Sequence, residues 1–162
     1  MRIVFALVLL LLISGCAKQP AGPAFELAAA PPSHRARLYL YRMDGRSSLS
    51  RIRVTVDGRE VGTFQDGEYE TLELSAGSHH LRAGLRSLGG ISWGWNEQKI
   101  RFKPGETVFV EISVRLTQIA SGGRDLEIAG RASGGASENV YLQRRPEKEA
   151  TGRIEVTTRL VP

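Results

Sequence analysis

The run Val54 to Leu81, VTVDGREVGTFQDGEYETLELSAGSHHL, constrains the fold of this chain more than any other stretch. Ahead of Asp57-Gly58, the residues Ile52, Val54 and Val56 alternate with Arg51, Arg53 and Thr55, which is the period of a strand with one buried face. Asp-Gly favours a tight hairpin turn because both residues tolerate positive φ. Whether the loop is Asp57-Gly58 or Asp57 to Glu60, Val61 shares a face with Val54 and Val56. A second hairpin is predicted to turn on Ala76-Gly77, setting Leu72 opposite Leu81 and Leu74 opposite His79.

The same alternation recurs along the chain. Arg37 to Arg42 reads as a first strand, with Leu38 and Leu40 on one face and Tyr39 and Tyr41 on a half-buried outer face with wet hydroxyls. Ile100 and Phe102 resume the pattern after Leu85 to Trp95 breaks it. Val108, Val110, Ile112, Val114 and Leu116 then form the cleanest strand, expected at the centre of a sheet. For Ile100 and Phe102 to share its face through a hairpin at Pro104-Gly105, the loop must hold an odd number of residues. Beyond Leu116 the pattern weakens. Asp125 to Ala129, Asn139 to Leu142 and Arg153 to Leu160 are read as outer strands, and Gly122-Gly123, Gly134-Gly135 and Gln143 to Glu149 as mobile connections. With no amphipathic helix evident, the expected fold is all-β, an antiparallel two-sheet β-sandwich over residues 36–162.

A family resemblance rests on these residues. Leu-Tyr-x-Tyr-Arg (Leu38 to Arg42), Val-Asp-Gly-x-x-Val-Gly (Val56 to Gly62), Tyr69, Leu72 and Gly77-x-His79-x-Leu81 together resemble a family of small bacterial envelope lipoproteins with a domain of unknown function. That family is similar in turn to the PEGA-type, Ig-like β-sandwich modules. The resemblance covers about Arg37 to Val114, and implies a surface-anchored β-domain with no known catalytic residues to carry over.

The N-terminus gives the expected compartment. Met1-Arg2 is a positive n-region, Ile3 to Ile13 an apolar h-region too short for the ~20 residues of a spanning helix, and Ile13-Ser14-Gly15-Cys16 a lipobox. Residues 1–15 are therefore expected to be a lipoprotein signal peptide and Cys16 the acylated first residue of the mature protein. Two or three acyl chains, at ~0.8 kcal/mol per buried CH₂, hold a protein on a membrane where one chain would not. Ala17 follows, not the aspartate that resembles an inner-membrane retention signal, so the expected place is the periplasmic face of the outer membrane. Residues 16–35 carry Pro20, Pro23, Pro31 and Pro32 and read as a tether, with a reach near ~60 Å if pulled straight. Cys16 is the single cysteine, so no disulfide forms within the chain and the domain relies on packing.

The formal charge of +5 is carried on several strands, at Arg51, Arg53, Arg82 and Arg86, then Lys99, Arg101, Arg115 and Arg159. Such spacing reads as a solvated surface, not a nucleic-acid footprint, with anionic lipid headgroups a milder attraction.

Candidate chemistry is sparse. His79 and His80 point to opposite faces of a strand and cannot close on one metal ion; His79 reads as a turn-end residue covering the core edge. No Gly-x-Ser-x-Gly elbow is present, Asp66 and Glu68 lie in a turn, and neither glycine pair has phosphate-loop spacing. The expectation is a non-enzyme with neither metal nor cofactor. Trp93 and Trp95, both tryptophans of the chain, are the candidate ligand-binding residues: in an extended segment they project on one side, either as a platform for a sugar ring or as a plug at one end of the sandwich. The leading expectation is a lipoprotein anchored through Cys16, with a binding or scaffolding domain whose partner is an envelope protein or peptidoglycan. Rival readings are a glycan-binding module using Trp93 and Trp95, and a small hydrolase, for which no buried acid-base pair is found.

Overall fold

The computed structural model describes residues 22–45, 51–86, 92–118 and 136–160. Its strands are β1 (Arg35–Arg42), β2 (Arg51–Val56), β3 (Arg59–Phe64), β4 (Glu68–Ser75), β5 (Gly77–Arg86), β6 (Ser92–Phe102), β7 (Thr107–Gln118), β8 (Ala136–Arg145) and β9 (Thr158–Arg159), with a helix α1 (Glu147–Ile154) before the last. They build a five-stranded sheet, β8-β7-β1-β4-β9, facing a four-stranded sheet, β3-β2-β5-β6. This is the all-β two-sheet sandwich that the alternation demands. Pairing is antiparallel except for β1–β7 and β4–β9, which run parallel.

The core is one cluster between the sheets, with Leu38, Leu40, Val110 and Ile112 on one side and Ile52, Val54, Leu81 and Leu85 on the other. Burying each such side chain contributes about 1.5–3 kcal/mol, so the shared inward parity of these strands selects the sandwich. As expected, β7 lies inside its sheet, between β8 and β1.

Two predicted connections are corrected. Ala76-Gly77 does not close a hairpin: β4 pairs with β1 and β9, while β5 pairs with β2 and β6. Leu72 therefore stands opposite Leu38, and Leu81 opposite Val56. Likewise β6 and β7 lie in different sheets, so the parity condition on the Pro104-Gly105 loop does not apply. In both places a short link arches between sheets, which lets successive apolar faces meet across the core instead of side by side. Where the hairpin prediction is met, Asp57 (φ 51) and Gly58 (φ 77) form a two-residue turn, and Val61 packs on the core beside a register shift in β3.

The outer face of the five-stranded sheet is not solvated. Tyr39, Tyr41 and Phe109 are buried there under Ala150 and Ile154 of α1, with Phe25 packed against the same cluster. Tyr39 stacks on Phe109 with centroids 4.9 Å apart, and its hydroxyl accepts a hydrogen bond from the Ala28 N–H at 3.0 Å. The expected wet tyrosines are thus corrected. So are the mobile connection at Gln143 to Glu149, which ends β8 and begins α1, and the outer strand at Arg153 to Leu160, of which Thr158–Arg159 alone is strand. The helix escaped notice because its Thr151-Gly152 interior is a poor helix former and two apolar residues, Ala150 and Ile154, are enough to seat it on aromatic rings.

Part of the expected tether is also fixed. The Pro23 carbonyl accepts from the Arg159 N–H at 2.8 Å, the Ala24 carbonyl from the Tyr69 hydroxyl at 3.2 Å, and Phe25 meets Tyr39 and Tyr69 edge-on. Residues 1–21, with the expected leader and Cys16, lie outside the described residues, as do Gly122-Gly123, Asp125 to Ala129 and Gly134-Gly135.

One open side of the sandwich is closed by side chains. Asn96 and Gln98 of β6 donate to the Val140 and Leu142 carbonyls of β8 at 2.9 and 2.7 Å, occupying acceptors that an edge strand otherwise offers to another chain. The double variant Asn96→Ala/Gln98→Ala is expected to lose about 1–3 kcal/mol and to self-associate with rising concentration. Sedimentation velocity checks this, and a strictly monomeric variant refutes the protective role.

Candidate functional site on the outer face of the four-stranded sheet

Strand alternation decides what this face displays. Since Ile52, Val54, Leu81 and Ala83 point into the core, their neighbours Arg51, Arg53, Arg82 and Arg86 point out, and β6 adds Lys99 and Arg101 on the same side. Register then brings them together: Arg51 is opposite Arg86, Thr55 opposite Arg82, and His80 opposite Lys99. Six of the cations that looked dispersed along the sequence thus share one surface, which corrects the reading of a scattered charge. Two carboxylates, Glu60 and Glu97, share it.

The ion pairs are local and exposed. Glu97 accepts from Arg82 at 2.8 Å and stands 3.3 Å from His80, while Glu60 pairs with Arg53 at 2.6 Å. Exposed pairs of this kind contribute little to stability. Arg51, Lys99 and Arg101 are exposed, with no ion pair among the described residues. Six cations against two carboxylates leave four positive charges in excess, most of the formal +5 of the chain.

Trp95 lies on this face. A Cβ on Gly84 would stand 2.6 Å from its ring, so the ring covers the glycine, and the Arg82 guanidinium is 4.1 Å from its centroid. Glycine at position 84 is what lets the indole lie so close to β5. Half-buried in this way, Trp95 is not a plug between the sheets. Its predicted companion Trp93 pairs through its backbone with Leu85, and its side chain lies outside the described residues.

The histidines separate as alternation requires. His79 is buried at the core edge, with Nδ1 2.6 Å from Asp57 Oδ2, Nε2 2.9 Å from the Ser75 carbonyl, and its ring edge-on to Phe102. Both ring nitrogens lie within hydrogen-bond reach of oxygen atoms. This latch ties the β2–β3 turn to the β4–β5 arch. Among the described residues no three His, Cys, Asp or Glu side chains gather as metal ligands.

Asp57 also accepts the His80 backbone N–H at 2.9 Å, and this bond, then the one to His79, holds its carboxyl below the usual 3.8. A depressed folded-state value stabilises above the unfolded value and is lost as pH falls through the folded one. Asp57→Asn, which preserves the positive-φ turn, is therefore expected to flatten the loss of stability as pH falls below the unfolded carboxyl value of 3.8. Urea melts across that range test it; an unchanged acid slope rules the latch out as its source.

The acids singled out by sequence are turn closers. Asp66 accepts from the Asp44 and Gly45 N–H groups at 2.9 and 3.1 Å, and Glu68 from the Gln65 N–H at 2.6 Å. An open groove of about 360 Å³ runs between Arg51, Glu60 and Thr63 on one side and Glu70 and Leu160 on the other. Its acids are engaged: Glu70 holds Arg159 at 2.9 Å and Glu60 holds Arg53.

A polar centre that sequence reading missed lies under α1. Glu111 of β7 accepts from Arg145 at 2.7 Å and from Arg153 at 3.0 and 3.1 Å, and Arg153 also donates to the Met43 carbonyl at 2.9 Å. Burial, reinforced by the Glu111 charge, pushes the neighbouring Tyr41 phenol up to about 12. The available signal was Glu111 itself, an acid in the outward register of Phe109. These contacts fasten β8 and α1 to the sheet, and each carboxylate oxygen faces a guanidinium, so the geometry is that of a clasp.

No family model matches this chain, and no curated protein matches it.

Proposed function

We propose that the protein is a lipid-anchored envelope protein whose β-sandwich is a non-catalytic binding or scaffolding module. The observation that carries this reading is the division of the two outer faces: one is roofed by α1 and by residues 23–29, while the other displays Trp95 and the exposed cations Arg51, Lys99 and Arg101. A scaffold that covers one face with its own chain and leaves the other open is suited to holding a partner there. The anchor rests on the lipobox Ile13-Ser14-Gly15-Cys16 and the apolar run before it. Cys16→Ser is expected to move the protein from the detergent-phase membrane fraction to the soluble or unprocessed pool, and continued detergent partitioning of a processed chain would refute acylation.

A second reading, glycan or peptidoglycan binding through Trp93 and Trp95, is favoured by the placement of Trp95 on that open face. Peptidoglycan fragments should then shift tryptophan emission and protect it from iodide. An emission spectrum unmoved by fragments rejects this reading.

A further inference from the structure

We infer that the outer face of the four-stranded sheet is a docking surface for an anionic phospholipid bilayer, which it meets broadside. The first ground is charge complementarity. Four positive charges in excess lie on this face, and the three most accessible cations, Arg51, Lys99 and Arg101, are spread from β2 to β6. Neighbouring strands are about 4.8 Å apart, so these side chains form an open array instead of a cleft. A planar anionic surface contacts such an array all at once, whereas a polyanion strand is better held by a groove.

The second ground is the aromatic residue in the array. An indole that is half-buried beside a guanidinium has an apolar body and a polar edge, the combination found at the headgroup level of membranes.

The third ground is the length of chain outside the described residues. Because Pro23 is bonded to Arg159, the stretch from Cys16 to Pro23 has a ceiling of about 25 Å, much shorter than a free tether through residue 35. An acylated Cys16 would keep the domain within that distance of the bilayer, and a lipid chain with a basic patch is a recurrent two-signal arrangement for stable attachment. This third ground rests on the proposed anchor; the other two do not.

The test uses the full chain carrying Cys16→Ser, so that acylation contributes nothing, in flotation with vesicles of phosphatidylcholine alone or mixed with phosphatidylglycerol. An uncleaved leader partitions into both, so the ratio of binding to the two vesicle types reports headgroup charge. We expect a ratio of at least about ten at about 50 mM salt, falling towards one at about 500 mM. Lys99→Gln/Arg101→Gln should bring the ratio down towards one, by up to roughly fivefold per charge, without breaking an ion pair among the described residues. Arg35→Gln/Lys148→Gln, which removes equal charge from the other side of the sandwich, should leave it within about twofold. A ratio near one at low salt, equal losses in both double variants, or displacement by single-stranded RNA or peptidoglycan fragments at concentrations too low to screen charge would each overturn the assignment. Failure of the anchor is read separately, from detergent partitioning of the wild-type chain.

Discussion

Glu111→Ala is expected to lower stability by about 2–4 kcal/mol and the melting temperature by roughly 10 °C. The carboxylate is almost fully buried and accepts from two arginines, Arg145 at the end of β8 and Arg153 in α1. Its removal leaves both guanidiniums under the helix without their shared acceptor, and breaking a buried pair by deleting one partner typically costs more than the pair contributes. The arginines are 23% and 38% exposed, so water recovers part of the loss and the cost falls below that of a fully buried pair. Glu111→Gln keeps an acceptor but no charge, and should recover part of the difference. Urea denaturation combined with limited proteolysis after residue 145 measures both effects. If Glu111→Ala melts within about 0.5 kcal/mol of wild type, α1 is held by its apolar contacts and the clasp is incidental.

Truncating Phe102 to alanine should cost still more, about 3–5 kcal/mol, with a fall in melting temperature on the order of 15 °C. The ring is 2% exposed, sits in the core between the sheets, and carries His79 edge-on at 5.4 Å. Its loss therefore opens a cavity and withdraws the apolar floor of the His79–Asp57 latch. Phe102→Leu fills much of the space and should cost less than half as much. Chemical denaturation with an unchanged m-value is the expected form of the result, and a penalty below about 1 kcal/mol for the alanine variant would mean that the sheets close over the gap.

The strands were legible because alternation is local: a residue's neighbours at two-residue spacing suffice to show that Leu38, Val54 and Val110 share inward faces. The Asp57-Gly58 turn was legible for the same reason, since positive φ is a property of those two residues. The helix at Glu147 to Ile154 was not, because its stability comes from aromatic rings on β1 and β7, far away in sequence. Nor was the burial of Glu111, which depends on two arginines that arrive from β8 and α1.

From sequence alone follow the inward sets of the strands that alternate cleanly and the two-sheet sandwich those sets favour. Sheet membership is different. Whether β4 turns back on itself or arches into the opposite sheet is undecided by period-two patterning, because either path buries the same leucines. Partner choice between strands decided it, and with it the lateral order β3-β2-β5-β6 that gathers Arg51, Arg86, Lys99 and Arg101 onto one face. Electrostatic complementarity acts through space, so a charge pattern that is dispersed along the chain became a surface only when pairing across strands set its neighbours.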